Sequence, residues 1–511
     1  MWCTLIPLVL LPTPILGQLS HQNNNPVIDL GYAVYEGLHN ATSGINSWYG
    51  LRYAQAPVGE LRWQAPVDIE AKNNYSASRT MDASQPGPSC VQGYPAWFPP
   101  PPGRNSRYTI GSSQPGASAG NVPFQTSGPG NALVYQSRGN LIYVTIQYRL
   151  GAYGFLGGSD VLVNGASNAG LLDQRAALMW VQRHISKFGG DPSKVTIIGG
   201  SAGGGSVVNQ LMLYGGALNP PFRAAIAEYP WMQQYRNASA LGRQYDLLRQ
   251  ASGCNDLRCL RLLPDTKLRS ATKETITTAY RNGDYGFGDF FFGPYVDGSV
   301  IRDLPSNEFK LGHFAKVPLL TSREGYEGVA FVNRSRLTDE ERARDLSRVF
   351  SNAKQAFFSR LFQLYPRADY NSTLTRFAAA VGDAVIVCPS STISAALSDY
   401  GQPVWKMIFD AGSQTHGALQ PFVETVNVGD SNNATPASIM RNYYISFATF
   451  LNPNSVKFTS VGHPIWPVYQ TPDIAGFRAL SVTHTTVEPS DDPDVRPQCD
   501  FFHSQSYVVR N

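Results

Sequence analysis

The sequence predicts an α/β fold, a large and mostly parallel central sheet flanked by helices. Three observations carry this. "NLIYVTIQYRL" (140–150) and "KVTIIGG" (194–200) are short, β-branched runs suited to strands buried on both faces. Between them, "AGLLDQRAALMWVQRHISKF" (169–188) repeats apolar residues at helical spacing, and "SVVNQLMLY" (206–214) begins a further helix. Strand, helix, strand and helix in this order call for parallel pairing through crossovers.

Composition agrees with a folded chain. Of 511 residues, 42% are hydrophobic and only 15% charged, enough for a large core. The formal charge of +4 has no basic cluster behind it, so the sequence offers no electrostatic footprint for nucleic acid or an anionic membrane. The expected partner is a small, roughly neutral molecule. Residues 1–17, apolar from Leu5 to Leu16 and closed by Gly17, read as a signal peptide. No later segment reaches the roughly 18 apolar residues of a membrane anchor. Residues 18–511 form one expected domain, secreted and soluble.

Sequons at Asn40, Asn74, Asn237, Asn333, Asn371 and Asn433 fit that compartment as glycosylation acceptors. With Cys3 in the leader, Cys90, Cys254, Cys259, Cys388 and Cys499 remain, an odd number. Cys254 and Cys259 are close enough to close a small disulfide loop. Cys388 in "VIVCPS" reads equally as a bridge or as a buried thiol.

Taken in order, residues 27–63 alternate apolar and polar positions with Gly and Pro punctuation, which predicts short strands and hairpins. Residues 84–132 are rich in Pro, Gly and Ser, and their only plausible strand is weak, around Tyr108 to Ile110. The buried strand at 140–150 and the helix at 169–188 follow. "GGDPS" stops that helix before the strand at 194–200. Ser201, in "IIGGSAGGGS", therefore stands at a strand-to-helix turn whose small neighbours leave its hydroxyl room. The following helix points its positive end at the same spot, where an anion would be favoured.

A serine hydroxyl becomes a nucleophile when a histidine takes its proton and a carboxylate orients that histidine. His21, His39, His184, His313, His463, His484 and His503 lack a supporting pattern and read as surface or structural residues. His416 differs, because the strand-like "PVWKMIFD" leads into its loop, "AGSQTHGALQPF". "AKVPLLTSREGYEGVAF" supplies another buried strand, followed by Glu324 and Glu327. Aromatic clusters at Tyr229, Trp231 and Met232, and at 285–295, read either as a substrate pocket or as core.

Across residues 27–475 these motifs, with "YGLRYAQAPVGELRWQAP" and "HPIWPVYQ", resemble the type-B carboxylesterase and cholinesterase-like family, the secreted fungal esterase and lipase branch of the α/β hydrolases. The resemblance implies the α/β-hydrolase fold and hydrolysis of a neutral, small-molecule ester without cofactor or metal. Ser201 would be the nucleophile, His416 the base and Glu327, directly before glycine, the acid, which leaves Glu324 as a solvated loop carboxylate.

Two departures stand out. Gly200 occupies the position of the family's glutamate before the serine, which implies a looser elbow. The family's segments of the form EDCLxLNVY and PVLVWIHGGG are absent, so one central strand is missing or replaced. Ala202 N–H is then the one assignable oxyanion donor, and Cys90 loses its usual partner. Glycines in "PGASAG" or "TSGPG" could substitute for the loop. The chain could instead be a noncatalytic binding relative, or the sequence could omit a segment of the true gene product, the reading the sequence favours.

Overall fold

The computed structural model describes residues 8–10, 25–72, 79–87, 90–91, 93, 95–98, 130–425, 431–470 and 476–511. The first strands are short: β1 Leu8–Leu10, β2 Val27–Asp29, β3 Val34–Glu36, β4 Leu38–Asn40, β5 Ile45–Trp48 and β6 Thr80–Asp82. They form two three-stranded sheets, β1-β5-β4 and β2-β3-β6; the antiparallel pairs β2–β3 and β4–β5 are those the texture of residues 27–63 predicts, whereas β1 comes from within the segment read as a leader and β6 from beyond residue 63.

The main sheet holds β7 Thr196–Gly200, β8 Ala224–Glu228, β9 Leu319–Glu324, β10 Val404–Phe409, β11 Arg478–Val482 and β12 Val487–Asp491. Its order is β12-β11-β10-β9-β8-β7. All neighbours are parallel except β11 and β12. Strands β8, β9 and β10 are buried at every position because helices cover both faces, which is why their sequences run apolar rather than alternating. Register aligns their carboxyl ends: Gly200 faces Glu228, Glu228 faces Ser322, and Glu324 faces Phe409. Loops leaving β7, β9 and β10 therefore emerge along one edge of the sheet.

Lys406 is fully buried in the middle of β10. Such a charge is tolerable only when paired. Its ammonium donates to Asp492 and Asp494, both at 2.7 Å, and Arg323 of β9 adds a fork onto Asp494 at 2.8 and 3.1 Å. The cluster ties the turn after β12 to the centre of the sheet.

The predicted strand at 140–150 is corrected. Apart from an isolated bridge at Thr145, these residues form no strand. Leu141 to Val144 and Ile146 face Thr196 to Ile198 of β7 across a cavity of about 710 Å³, also lined by Val207, Ile226 and Phe458. Among the described residues β7 pairs only with β8, so it is an edge strand where the sequence predicts a central one. Both runs are apolar enough to be strands, but among the described residues they share no ladder and both line this cavity.

A second correction concerns apolar length. The helical run Thr373–Asp399 is long and apolar enough to cross a membrane by composition alone, but 78% of that window is buried inside the fold. It is a core element, interrupted by a π turn at Asp383–Val387. The weak strand around Tyr108, "PGASAG", Asn74 and the leader cleavage point near Gly17 lie outside the described residues.

Cys254 and Cys259 form the expected bridge. Cys388 bonds Cys499, their Cα atoms 5.0 Å apart. Cys90 is also disulfide-bonded, and among the described residues no cysteine is free. The Cys388–Cys499 bridge joins residues 111 positions apart. Cys499→Ser should lower the unfolding free energy by about 2–4 kcal/mol, read as an earlier urea midpoint; an unchanged midpoint contradicts a stabilising bridge.

Candidate active site

Ser201 adopts φ 58°, ψ −124°, a conformation that costs a non-glycine residue about 1–3 kcal/mol. The surroundings enforce it. Its N–H donates to the Glu228 carbonyl at 3.1 Å, and its own carbonyl accepts from Gly205 and Trp231, both at 2.9 Å. Glycines make the close approach possible. A Cβ on Gly199 would lie 2.4 Å from the Gly203 backbone, one on Gly204 2.5 Å from the Glu228 carbonyl, and one on Gly205 2.2 Å from the Trp231 carbonyl.

Gly200 corrects the expectation of a loose elbow. A Cβ there would meet the Tyr229 hydroxyl at 2.4 Å. The buried Tyr229 fills the space that a side chain at position 200 would need. Its ring also packs edge-on against His416, centroids 5.1 Å apart.

The loops from the three strand ends converge. His416 Nε2 lies 2.7 Å from Ser201 Oγ, and Nδ1 lies 2.6 Å from Glu327 Oε2. A carboxylate only accepts, so Nδ1–H donates to Glu327 and Nε2 is left to accept the serine proton. Backbone pairing of Tyr326 with Gln414 and Thr415 brings the two loops together. The Glu327 side chain is about 1% exposed, whereas the His416 side chain keeps 11%. Phe331, four residues beyond Glu327 on the same 3₁₀ turn, sets its ring 4.9 Å from the imidazole.

Other histidines have partners elsewhere. His184 bonds Glu70, His39 bonds Asn46, His463 bonds Asn442, His313 bonds Glu308, His484 bonds the Gly412 carbonyl and His503 the Cys388 carbonyl.

Glu324 is also corrected. It is fully buried at the end of β9 rather than solvated in a loop. Glu324, Glu327 and His416 are the acidic and imidazole groups grouped closely enough to suggest a cation site among the described residues. Both imidazole nitrogens already have protein partners, so the cluster offers an ion no free histidine lone pair.

Ala202 opens the helix Ala202–Met212, so its N–H is among the first amides that intrahelical bonding leaves over. Gly130, the last residue of "TSGPG", precedes another helix and packs against Tyr143; the rest of that motif lies outside the described residues. Trp231 contacts Phe290 and Phe331, forming an aromatic wall beside the imidazole. Met232 instead belongs to the core.

Two further carboxyls, the buried Glu228 and the partly buried Glu424, stand behind the elbow. Burial pushes Glu228 up to about 7, and burial together with the Glu228 charge raises Glu424 well above the usual carboxylate range. One Glu228 oxygen has no hydrogen-bond partner.

Residues 24–106 and 124–490 match the carboxylesterase family, and the chain belongs to that family. Lipase 2 of Geotrichum candidum is 33% identical over 370 residues, covering 64% of this chain and 63% of that protein. Carboxylesterase patB of Penicillium expansum is 29% identical over 526 residues, covering 87% of this chain and 90% of that protein. The crystal structure of Aspergillus niger EstA superposes with a TM-score of 0.81 at 27% identity, covering 96% of this chain and all of EstA. The fold is that of the α/β-hydrolase esterases.

Gly199→Ala should destabilise the protein by about 1–3 kcal/mol and more than Gly200→Ala, because Gly199 abuts backbone while Gly200 abuts a side-chain end. Thermal unfolding of both variants checks the order. Glu228 binds its proton more tightly folded than unfolded, so its contribution is full below about 4.5 and is lost as pH rises through about 7. Glu228→Gln should therefore gain stability relative to the parent over that window, levelling at about 3 kcal/mol; urea titrations at a series of pH values measure it.

Proposed function

We propose that this chain is a secreted serine carboxylesterase that hydrolyses a neutral carboxylic ester through an acyl-enzyme. The observation that carries the reading is the unbroken hydrogen-bonded line from Ser201 through His416 to Glu327, at 2.7 and 2.6 Å.

Ser201 Oγ attacks the ester carbonyl carbon while its proton passes to His416 Nε2. Glu327 holds the imidazole in the accepting tautomer and offsets the imidazolium charge. The carbonyl oxygen becomes an oxyanion at the start of the helix, where Ala202 N–H donates. Collapse expels the alcohol, which takes the proton from His416. A water, deprotonated by the same imidazole, then releases the acid and restores Ser201. Each missing oxyanion donor costs about 10²–10³ in rate, so turnover supported by one assigned donor should be slow.

Secretion rests on the apolar leader, the oxidised cysteines and the sequons. Asn371 is exposed and suited to carry glycan. Asn40, Asn237, Asn333 and Asn433 are partly exposed and are proposed as acceptors with it.

Turnover of a p-nitrophenyl ester should exceed that of Ser201→Ala by at least about 10³-fold. Equal rates would sink the enzyme reading and leave a noncatalytic binding protein on the same scaffold.

A further inference from the structure

Glu324 presents a problem that the triad does not resolve. Its side chain is fully buried. One oxygen accepts the Leu419 N–H at 3.1 Å, and the Gly417 backbone and the Glu327 carboxyl also hydrogen-bond to this side chain. Its backbone N–H donates to Glu327 Oε1 at 2.7 Å, which brings the two glutamates against each other. Ligand atoms of Glu324, Glu327 and His416 all fall within 4.8 Å of one another. No lysine or arginine among the described residues pairs with the Glu324 carboxyl. The adjacent Arg323 turns its guanidinium to Asp494 and gives Glu324 only a bond to its backbone carbonyl.

Two carboxyls sharing a dry site without a cation cannot both be ionised at neutral pH. Glu327 faces the imidazole and keeps the charge, so Glu324 is the one that holds a proton. Burial and the Glu327 carboxylate accordingly hold Glu324 well above the usual carboxylate range. Other titratable groups nearby act in the same direction or belong elsewhere: Glu228 is a buried acid and Glu424 a partly buried one, Tyr229 is a buried phenol, and Asp410 beside Gly325 interacts with Arg323.

The position of Leu419 gives this acid a purpose. Leu419 is fully buried, three residues beyond His416 in the turn that carries the imidazole. Tyr326 holds the front of that turn through Gln414, and Glu324 holds its rear through Leu419. We propose that Glu324 is a positioning residue for His416, an uncharged acid that pins the 416–419 turn while leaving a single negative charge beside the imidazole. This rests on the esterase reading for its catalytic consequence, but its protonation state does not. When Glu324 ionises at high pH, two carboxylates face each other in the same dry site, and their repulsion unseats the 416–419 turn and the imidazole it carries.

Three variants separate the parts. Glu324→Gln keeps an oxygen for Leu419 and stays neutral, so kcat should remain within about threefold and the alkaline fall in kcat should move up or vanish. Glu324→Leu removes the acceptor, and kcat should fall about tenfold or more with KM unchanged. Ser201→Ala with Glu324 intact sets the background. An infrared difference spectrum of the parent against Glu324→Gln at neutral pH should contain one protonated-carboxyl stretching band, whether or not the chain turns over ester. Absence of that band overturns the proposal independently of activity. So does Glu324→Gln losing as much kcat as Glu324→Leu, or retaining the parent's alkaline limb. If Glu324→Leu fails to fold, the spectrum and the Glu324→Gln pH profile decide.

Discussion

The fold is organised around a steric constraint, the turn at Ser201, in which a side-chain-bearing residue takes a backbone conformation suited to glycine. The cost is about 1–3 kcal/mol, a sizeable part of a typical net stability of about 5–15 kcal/mol. It is offset by three backbone hydrogen bonds from β7's neighbours and by a run of glycines that lets strand, helix and the segment after β8 approach one another. Every other element of the site is placed relative to that turn. Parallel register sets the carboxyl ends of β7, β8, β9 and β10 at one level, and the loops need only a few residues to bring Glu327 and His416 back to the serine.

Much of this was legible in the sequence because it depends on local chemistry. A short apolar strand, a glycine-flanked serine and a helix start form a readable unit at 194–214, and the two later strands announce themselves by continuous burial. The hydrogen-bonded histidine and acid were legible only through the family's spacing, since 89 residues separate them and no local pattern links them. The misreadings share a cause. Residues 140–150 have the composition of a strand, but a strand is a pairing, and the partner is what the sequence does not supply. Glu324 looked solvated because it sits near a turn, yet it closes β9 from within. Tyr229 in the place of a side chain at position 200 is a contact between neighbouring strands' ends, invisible to any single segment.

Buried and partly buried carboxyls gather behind the elbow and beside the histidine to an unusual degree. Glu228 and Glu424 are raised by burial, Glu324 by burial and by Glu327. Elsewhere the same chain neutralises buried charge directly, as with Lys406 and its two aspartates. The two differ: the cluster at β10 is a closed ionic knot that fixes the sheet, whereas Glu228, Glu324 and Glu424 have no cation partner among the described residues and bind a proton more tightly than usual. A carboxyl that keeps its proton adds no negative potential beside Ser201 and His416.

The cavity beside β7 bears on that same electrostatics. It is not sealed: the exposed Gly139, Asn140, Asp191 and Lys194 line its rim. The space is therefore open to solvent, and its lining includes Gly203 and Ser206, within the first turns of the helix that begins beside Ser201. Hydration there raises the local dielectric behind the first amides of that helix, so in the proposed reaction the helix acts through a screened field where a sealed sheet would give it an unscreened one.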